Sequence, residues 1–476
     1  MEEVLPDDML ADVLARLPPS SLAASRCVRK HWCSIIDARR LLRADLLPLR
    51  LDAFYCINLG LIDRLTYFFA RPSAARRIPG GCLDFLEDYF DLGVQDHCNG
   101  LLLVCDMVAN PATRQWTNLP TSPEPSIGDM LGVAVWGTTM GEEKDHHYLY
   151  SSFYLVYDPM VQSPQHFEVF LIPLLGRDLG NRENVTIDIE EQEWPPSTFR
   201  THVFSSRRWR WEERSWIRQG EPAGTMADML QSDCWDRKAV YFRGALYVHC
   251  QNDSVMRIAL SNDNKYQMVR SPATRSKLGA ERATFYLGKS EKGVYSALLY
   301  WVDFGSCPQF RVWLLKEEEE INDGNHIIHM EWVLKTNISL EPLLAKPPPL
   351  HGHSFVHDEW RVIRNYNEEE LEAPPPAAAH DGDEFADDDE WDFDNADEIV
   401  LEANDDNNKA EADTYPVDFL GFHPYKKIVF FSLSSRTISY NLNTSKVQQL
   451  GGDVCLPVGI RTYFPYTPCW LTMGLA

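Results

Sequence analysis

Short pairs of β-type runs recur through this chain from about residue 90 to its last residues. Each pair has an apolar run, a polar turn rich in Asn, Pro, Ser or Asp, and a second run that often carries an aromatic side chain. Such pairs lie in the ranges 100–120, 154–173, 202–216, 239–260 and 422–450. Recurring hairpins of one kind favour a β-propeller, because each four-stranded blade buries its faces against its neighbours.

The number of blades is predicted from chain length. Residues 55–476 without residues 365–414 amount to 372 residues, enough for about seven blades of about 50 residues each. A pair of packed β-sheets would use similar strands, so the hairpins alone leave both architectures open. The 14 Trp, 19 Tyr and 22 Phe favour a β-rich protein in either case, because aromatic rings pack well on pleated surfaces.

One acidic segment interrupts the hairpins. Between Glu368 and Asp413 there are 20 Asp or Glu residues and one basic residue, Lys409, so this stretch carries −19 of the formal net charge of −25. Such a segment has too much like charge to compact, so we expect residues 365–414 to be a disordered loop within the β-domain. Its aromatic residues leave open a second use as a ligand for a basic partner.

The first 17 residues predict an amphipathic helix. Leu10, Val13, Leu14 and Leu17 are spaced i, i+3, i+4 and i+7, which places them on one helical face. The pair Pro18-Pro19 ends the helix, because proline lacks the backbone N–H that the next turn requires.

Two further helices are predicted before residue 45. The second begins at a cap on Ser20 or Ser21 and runs to about Val28, and the third runs from about Arg29 to Ala44. A module of about 40 residues buries too little surface to be stable alone, so we expect its apolar face to pack against another protein surface that covers it. Helix periodicity leaves open whether the β-domain or a partner protein supplies that cover.

The same stretch contains an ordered motif. Leu5-Pro6, the apolar helix face, Pro18-Pro19, "RCVRKHW" and "SIID" resemble the F-box, by which substrate receptors dock onto the Skp-family adaptor of cullin–RING ubiquitin ligases. The resemblance covers about residues 3–45, with Val28-Arg29-Lys30-His31-Trp32 in place of the usual Cys-Lys-x-Trp. The adaptor-binding surface and the small core behind it are then predicted to comprise Leu5, Pro6, Leu10, Val13, Leu14, Leu17, Leu22, Val28 and Trp32.

The rest of the chain resembles the F-box-associated region of large plant F-box families, particularly those of grasses. The resembling pieces include "HCNGLLL" (97–103), "NPATRQWTNLP" (110–120), "YFRGALYVHC" (241–250) and "YFPYTPCW" (463–470). This resemblance implies a kelch-like propeller that binds a target protein, with targets that differ among members.

The resulting fold class is α+β and multidomain, with a small three-helix F-box followed by a mainly β domain. The predicted boundaries are 1–50 for the F-box, 51–364 and 415–476 for the two parts of the β-domain, and 365–414 for the acidic insertion.

The resemblance implies a non-enzymatic subunit of a Skp–cullin–F-box ubiquitin ligase. The expected partners are the Skp-family adaptor, the cullin–RING ligase reached through it, and an unknown protein substrate. No catalytic residue, cofactor or metal is expected. Two alternatives remain open, namely an acidic interaction scaffold that acts outside the ligase and an enzyme built on the propeller.

Four short stretches carry patterns that resemble functional sites. Asp96-His97-Cys98 predicts a turn and the start of a strand, and "LGKS" at 287–290 lacks the first Gly of a phosphate-binding loop. The spacing of His351, His353 and His357 fits zinc, but no Cys stands nearby, so surface histidines are the preferred interpretation. In "SSRRWRWEERSWIR" (205–218) aromatic and charged residues alternate, which is the pattern of a strand with one face buried. Because the chain is acidic, we expect no nucleic-acid partner.

The sequence also predicts where the protein resides. "MEEVLPDDML" (1–10) is acidic, unlike a secretory signal, and no apolar run reaches the roughly 18 to 20 residues that cross a bilayer. The 11 Cys form no C-x-x-C pair, which suits buried thiols in a reducing compartment. We therefore expect a soluble protein of the nucleus or cytoplasm that is neither secreted nor bound to membranes.

Overall fold

The structure is a computed structural model. It describes residues 6–17, 22, 25, 28–39, 41, 51–59, 64–72, 78–86, 93–123, 149–159, 166–175, 191–230, 238–260, 264–273, 282–290, 292–303, 306–322, 325–345, 360–363, 397–398, 417–433, 436–451, 460–471 and 473.

Two helices of the N-terminal module lie within the described residues, α1 (Asp7–Leu14) and α2 (Lys30–Ala38). The buried members of their shared apolar cluster are Leu10, Ala11, Leu14, Leu22, Ile35 and Ile36. The predicted first helix is confirmed, although its α-helical part ends at Leu14, four residues before the two prolines. The third is confirmed over Lys30–Ala38, but Arg39 and Leu41 are not α-helical, so this helix ends earlier than predicted. Most of the second lies outside the described residues.

Polar contacts also join the two helices. The first turn of α1 carries Asp7 and Asp8 at the positive end of the helix dipole. Asp7 lies 3.1 Å from His31 of α2, and Asp8 pairs with Arg39 just after α2. All four side chains are largely exposed, so these ion pairs contribute little beside the apolar cluster.

The strands follow in chain order as β1 (Ala53–Leu59), β2 (Arg64–Ala70), β3 (Val94–Cys98), β4 (Leu101–Val104), β5 (Met107–Asn110), β6 (Gln115–Asn118), β7 (Leu149–Tyr157), β8 (Phe167–Leu175), β9 (Glu193–Trp194), β10 (Thr198–Ser205), β11 (Arg210–Gln219), β12 (Gly224–Thr225), β13 (Ala239–Phe242), β14 (Ala245–His249), β15 (Val255–Ala259), β16 (Lys265–Val269), β17 (Arg282–Ser290), β18 (Gly293–Trp301), β19 (Gln309–Asn322), β20 (Asn325–Ser339), β21 (Arg361–Ile363), β22 (Asp397–Glu398), β23 (Val417–Phe422), β24 (Ile428–Leu433), β25 (Arg436–Asn441), β26 (Lys446–Gly451) and β27 (Ile460–Tyr466). Two short helices, α3 (Met226–Leu230) and α4 (Glu341–Ala345), lie between strands.

Most strands belong to antiparallel meanders of four strands. Two sheets are single meanders, β3-β4-β5-β6 and β17-β18-β19-β20, and a third, β22-β26-β25-β24-β23, is a meander with β22 added at its edge. A fourth sheet, β21-β2-β1-β27, combines strands from distant parts of the chain. An eight-stranded sheet contains two more meanders, β7-β8-β10-β11 and β13-β14-β15-β16, joined where β11 and β16 pair in parallel. A short ribbon of β9 and β12 stands apart from these sheets.

The meanders have a propeller-like arrangement. Their inner strands touch in succession, β3 with β7, β7 with β13, β13 with β17, β17 with β23, and β23 with β27. The circle returns to β3 because the His97 ring stacks on the Phe464 ring with centroids 3.9 Å apart, and the Tyr466 hydroxyl donates to the Gly100 carbonyl at 3.2 Å. This arrangement favours the propeller over the sandwich that the sequence left open.

Strands from both ends of the β-domain share one sheet. β1 pairs with β27 from Ala53 opposite Tyr466 to Asn58 opposite Ile460. The last strand therefore completes the sheet that the first two strands begin, and this pairing closes the ring.

The described sheets contain slightly fewer blade-like units than the number of blades predicted from chain length. The described residues hold six such units, five of four strands and one of five, with the eight-stranded sheet counted as two, whereas about seven were predicted. One physical reason is that β19 and β20 have 14 and 15 residues, far longer than the strands of an average blade. Because stretches such as 124–148 lie outside the described residues, the total of about seven stays a prediction.

The acidic insertion contributes one short strand. Residues 397–398 form β22, which pairs with Lys446 and Val447 of β26. The prediction of a wholly disordered loop is therefore wrong for these two residues, and the rest of the insertion lies outside the described residues. Backbone pairing at a sheet edge is available to acidic residues, because it does not require an apolar side chain.

Ring closure generates a prediction about stability. Tyr466 is 1% exposed and its ring lies 5.2 Å from that of Tyr55 on the neighbouring strand β1. We expect Tyr466→Ala to destabilise the β-domain by about 3 to 5 kcal/mol, because it opens a cavity in the closing sheet. Tyr466→Phe, which removes the hydroxyl and its hydrogen bond to the Gly100 carbonyl but keeps the ring, should cost about 1 kcal/mol. Urea unfolding measures both, and an unchanged midpoint for Tyr466→Ala would contradict this account of closure.

Candidate adaptor surface and central cavity

The N-terminal module divides the predicted adaptor-binding residues into three groups. Leu10, Leu14 and Leu22 are buried in its own core. Leu17 and Trp32 are partly buried and pack against that core. The exposed ones are Pro6, Val13 and Val28, and Leu5 lies outside the described residues.

Exposed apolar side chains are concentrated on this module. Met9, Val13 and Val28 are 55%, 52% and 58% exposed, and they are three of the eight large apolar side chains exposed in the described part of the chain. Met9 and Val13 are four residues apart on α1 and so lie side by side on its surface. Sequence reasoning missed Met9, although its i, i+4 spacing to Val13 was the signal that could have shown it.

The β-domain encloses a central cavity of about 340 Å³. Its walls are the inner strands β3, β13, β17, β23 and β27, together with the turns that follow β3, β23 and β27. We define the end of the ring at which these inner strands finish as the cavity end. The cavity lies where the inner strands converge, so the ring itself fixes the position of every wall residue.

Two lysines supply positive charge in this cavity. Lys289 Nζ donates to Asn99 Oδ1 at 2.6 Å and to the Tyr241 carbonyl at 3.2 Å. Lys238 Nζ lies 4.5 Å from the centre of the Tyr286 ring, in cation–π geometry. Both side chains are held by groups from other blades, so their positions are determined by the packing of the ring.

Asp96 and His97 lie on β3 in the cavity wall, and their environments shift their pKa values in opposite directions. Asp96 Oδ2 accepts the Leu155 backbone N–H at 2.6 Å, but burial outweighs this bond and raises the pKa of Asp96 to about 7. Burial, followed by the charges of Lys289 and Lys238, lowers the pKa of His97 to about 3. His97 is therefore neutral at pH 7, with its ring stacked on Phe464.

Two of the other sequence patterns that resemble functional sites lie within β-strands. Asp96-His97-Cys98 forms the end of β3, and residues 287–290 lie within β17 rather than before a helix. The three histidines 351, 353 and 357 lie outside the described residues. Among the described residues, no group of three or more His, Cys, Asp or Glu side chains could hold a metal ion.

The Trp- and Arg-rich stretch forms the β10–β11 hairpin, and blade packing is confirmed for two of its tryptophans. Trp216 is buried and its indole N–H donates to Thr201 Oγ1 at 2.9 Å. The Trp211 indole N–H donates to the Pro120 carbonyl at 2.9 Å. Trp209 in the connecting turn is exposed, with its ring edge-on to Phe204.

Comparison with known proteins identifies the N-terminal module. A family model of the F-box domain matches residues 3–44, so this part of the chain is an F-box domain. No curated protein matches the chain. None of the described helices has both the length and the apolar character needed to span a membrane.

The opposite pKa shifts at Asp96 and His97 predict opposite effects on acid stability. Since the folded-state pKa of His97 lies below its ordinary value of 6.5, the stability it contributes is present above pH 6.5 and is lost as pH falls towards 3. The pKa of Asp96 is raised from 3.8 to about 7, so its contribution is present below pH 3.8 and is lost as pH rises to 7.

Two substitutions separate these contributions. Between pH 6.5 and 4, His97→Gln should lose stability less steeply than wild type, and Asp96→Asn more steeply. Chemical unfolding at a series of pH values measures how the free energy of unfolding of each protein changes with pH. All other titrating groups are the same in the three proteins, so their contributions cancel in the comparison. Parallel stability curves for the three proteins would contradict the assigned environments.

Proposed function

We propose that this protein is the substrate-recognition subunit of a Skp–cullin–F-box ubiquitin ligase. In this proposal residues 3–44 dock onto a Skp-family adaptor, and the β-domain holds a target protein. The observation that carries the proposal is the match of residues 3–44 to the F-box domain.

The distribution of apolar side chains supports docking by this module. Leu10, Leu14 and Ile36 fill a core internal to the module, whereas Met9 and Val13 stay exposed on the outer side of α1. A partner helix that covers such a surface gains about 1.5 to 3 kcal/mol for each fully buried side chain of this size. The exposed positions therefore suit a helix-on-helix interface.

The β-domain is proposed to be a kelch-like, F-box-associated propeller of the plant type that selects the target. Its ring of meanders and its central cavity support this role, because rigid blades hold turns at one end in fixed positions. Ubiquitin would be activated and transferred elsewhere in the complex, so the receptor acts by proximity and needs no nucleophile of its own. Such ligases act in the nucleus and cytoplasm, where we expect this protein.

Co-purification with a Skp-family adaptor tests the docking. We expect wild-type protein to bind, and Val13→Asp to bind at least tenfold more weakly, because a carboxylate would then be buried against an apolar partner surface. Since Val13 is 52% exposed, the unfolding midpoint of this variant should match that of wild type. Leu5→Ala/Pro6→Ala is expected to weaken binding as well.

Two further variants serve as controls. Leu334→Asp introduces the same charge at a 50% exposed position of β20 and should bind the adaptor as wild type does. Leu14→Asp changes a residue that is 1% exposed, so it should unfold the module and abolish binding together. The proposal fails if wild-type protein does not bind, or if Val13→Asp binds as tightly as Leu334→Asp.

A further inference from the structure

A second cavity of about 1150 Å³ lies between the two meanders of the eight-stranded sheet. One wall is formed by residues of β7, β8, β11 and the β10–β11 turn, and the other by residues of β13, β15, β16 and the β13–β14 turn. The parallel pairing of Ile217 to Gln219 with Lys265 to Gln267 joins these walls. We call this cavity the blade groove.

The blade groove opens at the cavity end of the ring. Its residues include Val156 and Asp158 at the end of inner strand β7, and Arg243 in the turn that follows inner strand β13. Tyr241 lines both cavities, and its hydroxyl donates to Asp158 Oδ2 at 2.6 Å. A ligand in the groove would therefore lie next to the central cavity.

The charges that line the blade groove are mainly positive. The basic lining residues are Arg207, Arg208, Arg214, Arg243, Arg257 and Lys265. The acidic lining residues are Asp158 and Glu168. The excess is local, because most of the negative charge of this acidic chain belongs to residues 368–413.

Half of these cations are neutralised within the fold. Arg208 pairs with Glu212, Arg214 with Glu168, and Arg257 with Glu317. Within the residues that the structure describes, the other three cations have no carboxylate partner.

We call Arg207, Arg243 and Lys265, the three lining cations without a carboxylate partner among the described residues, the unpaired cations. Arg207 contacts His166 Nδ1 at 3.3 Å, and Arg243 lies 5.1 Å from the centre of its neighbour Phe242. Burial and the charge of Arg207 lower the pKa of His166, as expected in a positive environment. The groove therefore has positive charge left over for a ligand.

The placement of the unpaired cations indicates the form of the ligand. They lie on three separate elements, the β10–β11 turn, the β13–β14 turn and the first residue of β16. Because each cation comes from a different element, each can form a charge-assisted hydrogen bond to a different carboxylate of one extended chain.

The aromatic residues of the groove favour peptide over nucleic acid. Its aromatic lining residues, Trp216, Tyr241 and Tyr266, are all buried. Single-stranded nucleic acid binds where exposed rings are available for its bases to stack on. The exposed Trp209 is not among the lining residues, so the groove offers positive charge without a stacking platform.

We propose that the blade groove binds an extended acidic peptide, whose Asp and Glu side chains pair with Arg207, Arg243 and Lys265. The proposal rests on the proposed function only where it assigns the peptide to a target protein of the ligase. Binding itself requires neither the F-box nor the adaptor.

Fluorescence anisotropy with the full chain tests this. The probe is a labelled 12-residue peptide of Glu and Asp spaced by Gly and Ser, compared with the Gln and Asn version of the same peptide. We expect the acidic peptide to bind, the neutral one to bind at least tenfold more weakly, and added salt to weaken the acidic peptide's affinity progressively.

A groove variant and a matched control locate the site. The groove variant is Arg243→Asn/Lys265→Glu, in which Asn suits the left-handed φ of 45° at residue 243. The control, Lys292→Asn/Arg270→Glu, makes the same charge change at two exposed positions outside the groove. We expect at least a tenfold loss of peptide affinity in the groove variant and less than a threefold loss in the control.

Four outcomes would overturn the proposal. Two are no binding of the acidic peptide to wild type, and equal affinities for the groove variant and the control. The other two are tighter groove-dependent binding of a single-stranded RNA than of the acidic peptide, and displacement of the acidic peptide by a peptide that carries one phosphoserine. Adaptor co-purification with the groove variant should remain as in wild type, so failure of adaptor binding is distinguishable from failure of peptide binding.

Discussion

Pairing between β1 and β27 is the constraint on which the rest of the β-domain depends. The two strands lie about 400 residues apart in the chain, yet they pair over almost their whole length. Because the inner strands meet in a closed circle, each blade is packed on both sides and no blade has to bury its faces alone. The central cavity is a consequence of this closure, since inner strands and the turns beside them form its walls. The blade groove lies between two meanders of the ring, which the parallel pairing of β11 with β16 joins.

The N-terminal module leaves part of its apolar surface exposed. Its core is made of a few residues from two described helices and the chain between them, and it leaves Met9, Val13 and Val28 exposed. The ring closes through β1 and β27, and none of its described strands comes from this module. The division of labour in the proposed function follows from this, because one part can bind the ligase while the other selects a target.

Sequence reasoning predicted the elements better than it predicted their surroundings. Hairpin patterning showed the strands, and the spacing of Leu10 and Leu14 showed the first helix, because both periodicities are local. It did not separate Val13, which is exposed, from Leu14, which is buried, since both fall within the same apolar stripe. Which side of that stripe is covered depends on where α2 packs, and this is a tertiary contact.

Dependence on tertiary contacts also explains why the sequence did not predict the blade groove. Arg243, Lys265 and Arg207 are ordinary surface residues in the sequence, and only the parallel pairing of β11 with β16 brings their elements to one cavity. The blade number stays a prediction, because strand lengths differ between the described units, from four residues in β5 to 15 in β20, and an average blade length gives only an approximate count. Long-range pairing is the information that composition and periodicity lack.

The central claim is that the F-box docks onto an adaptor while the β-domain remains free for a target. Hydrogen-exchange mass spectrometry of the full chain, with and without a Skp-family adaptor, tests it most directly. The account predicts added protection in peptides from residues 6–41 and unchanged exchange in the strands of the β-domain. Unchanged exchange throughout the chain, or protection that appears in the β-domain and not in residues 6–41, would contradict it.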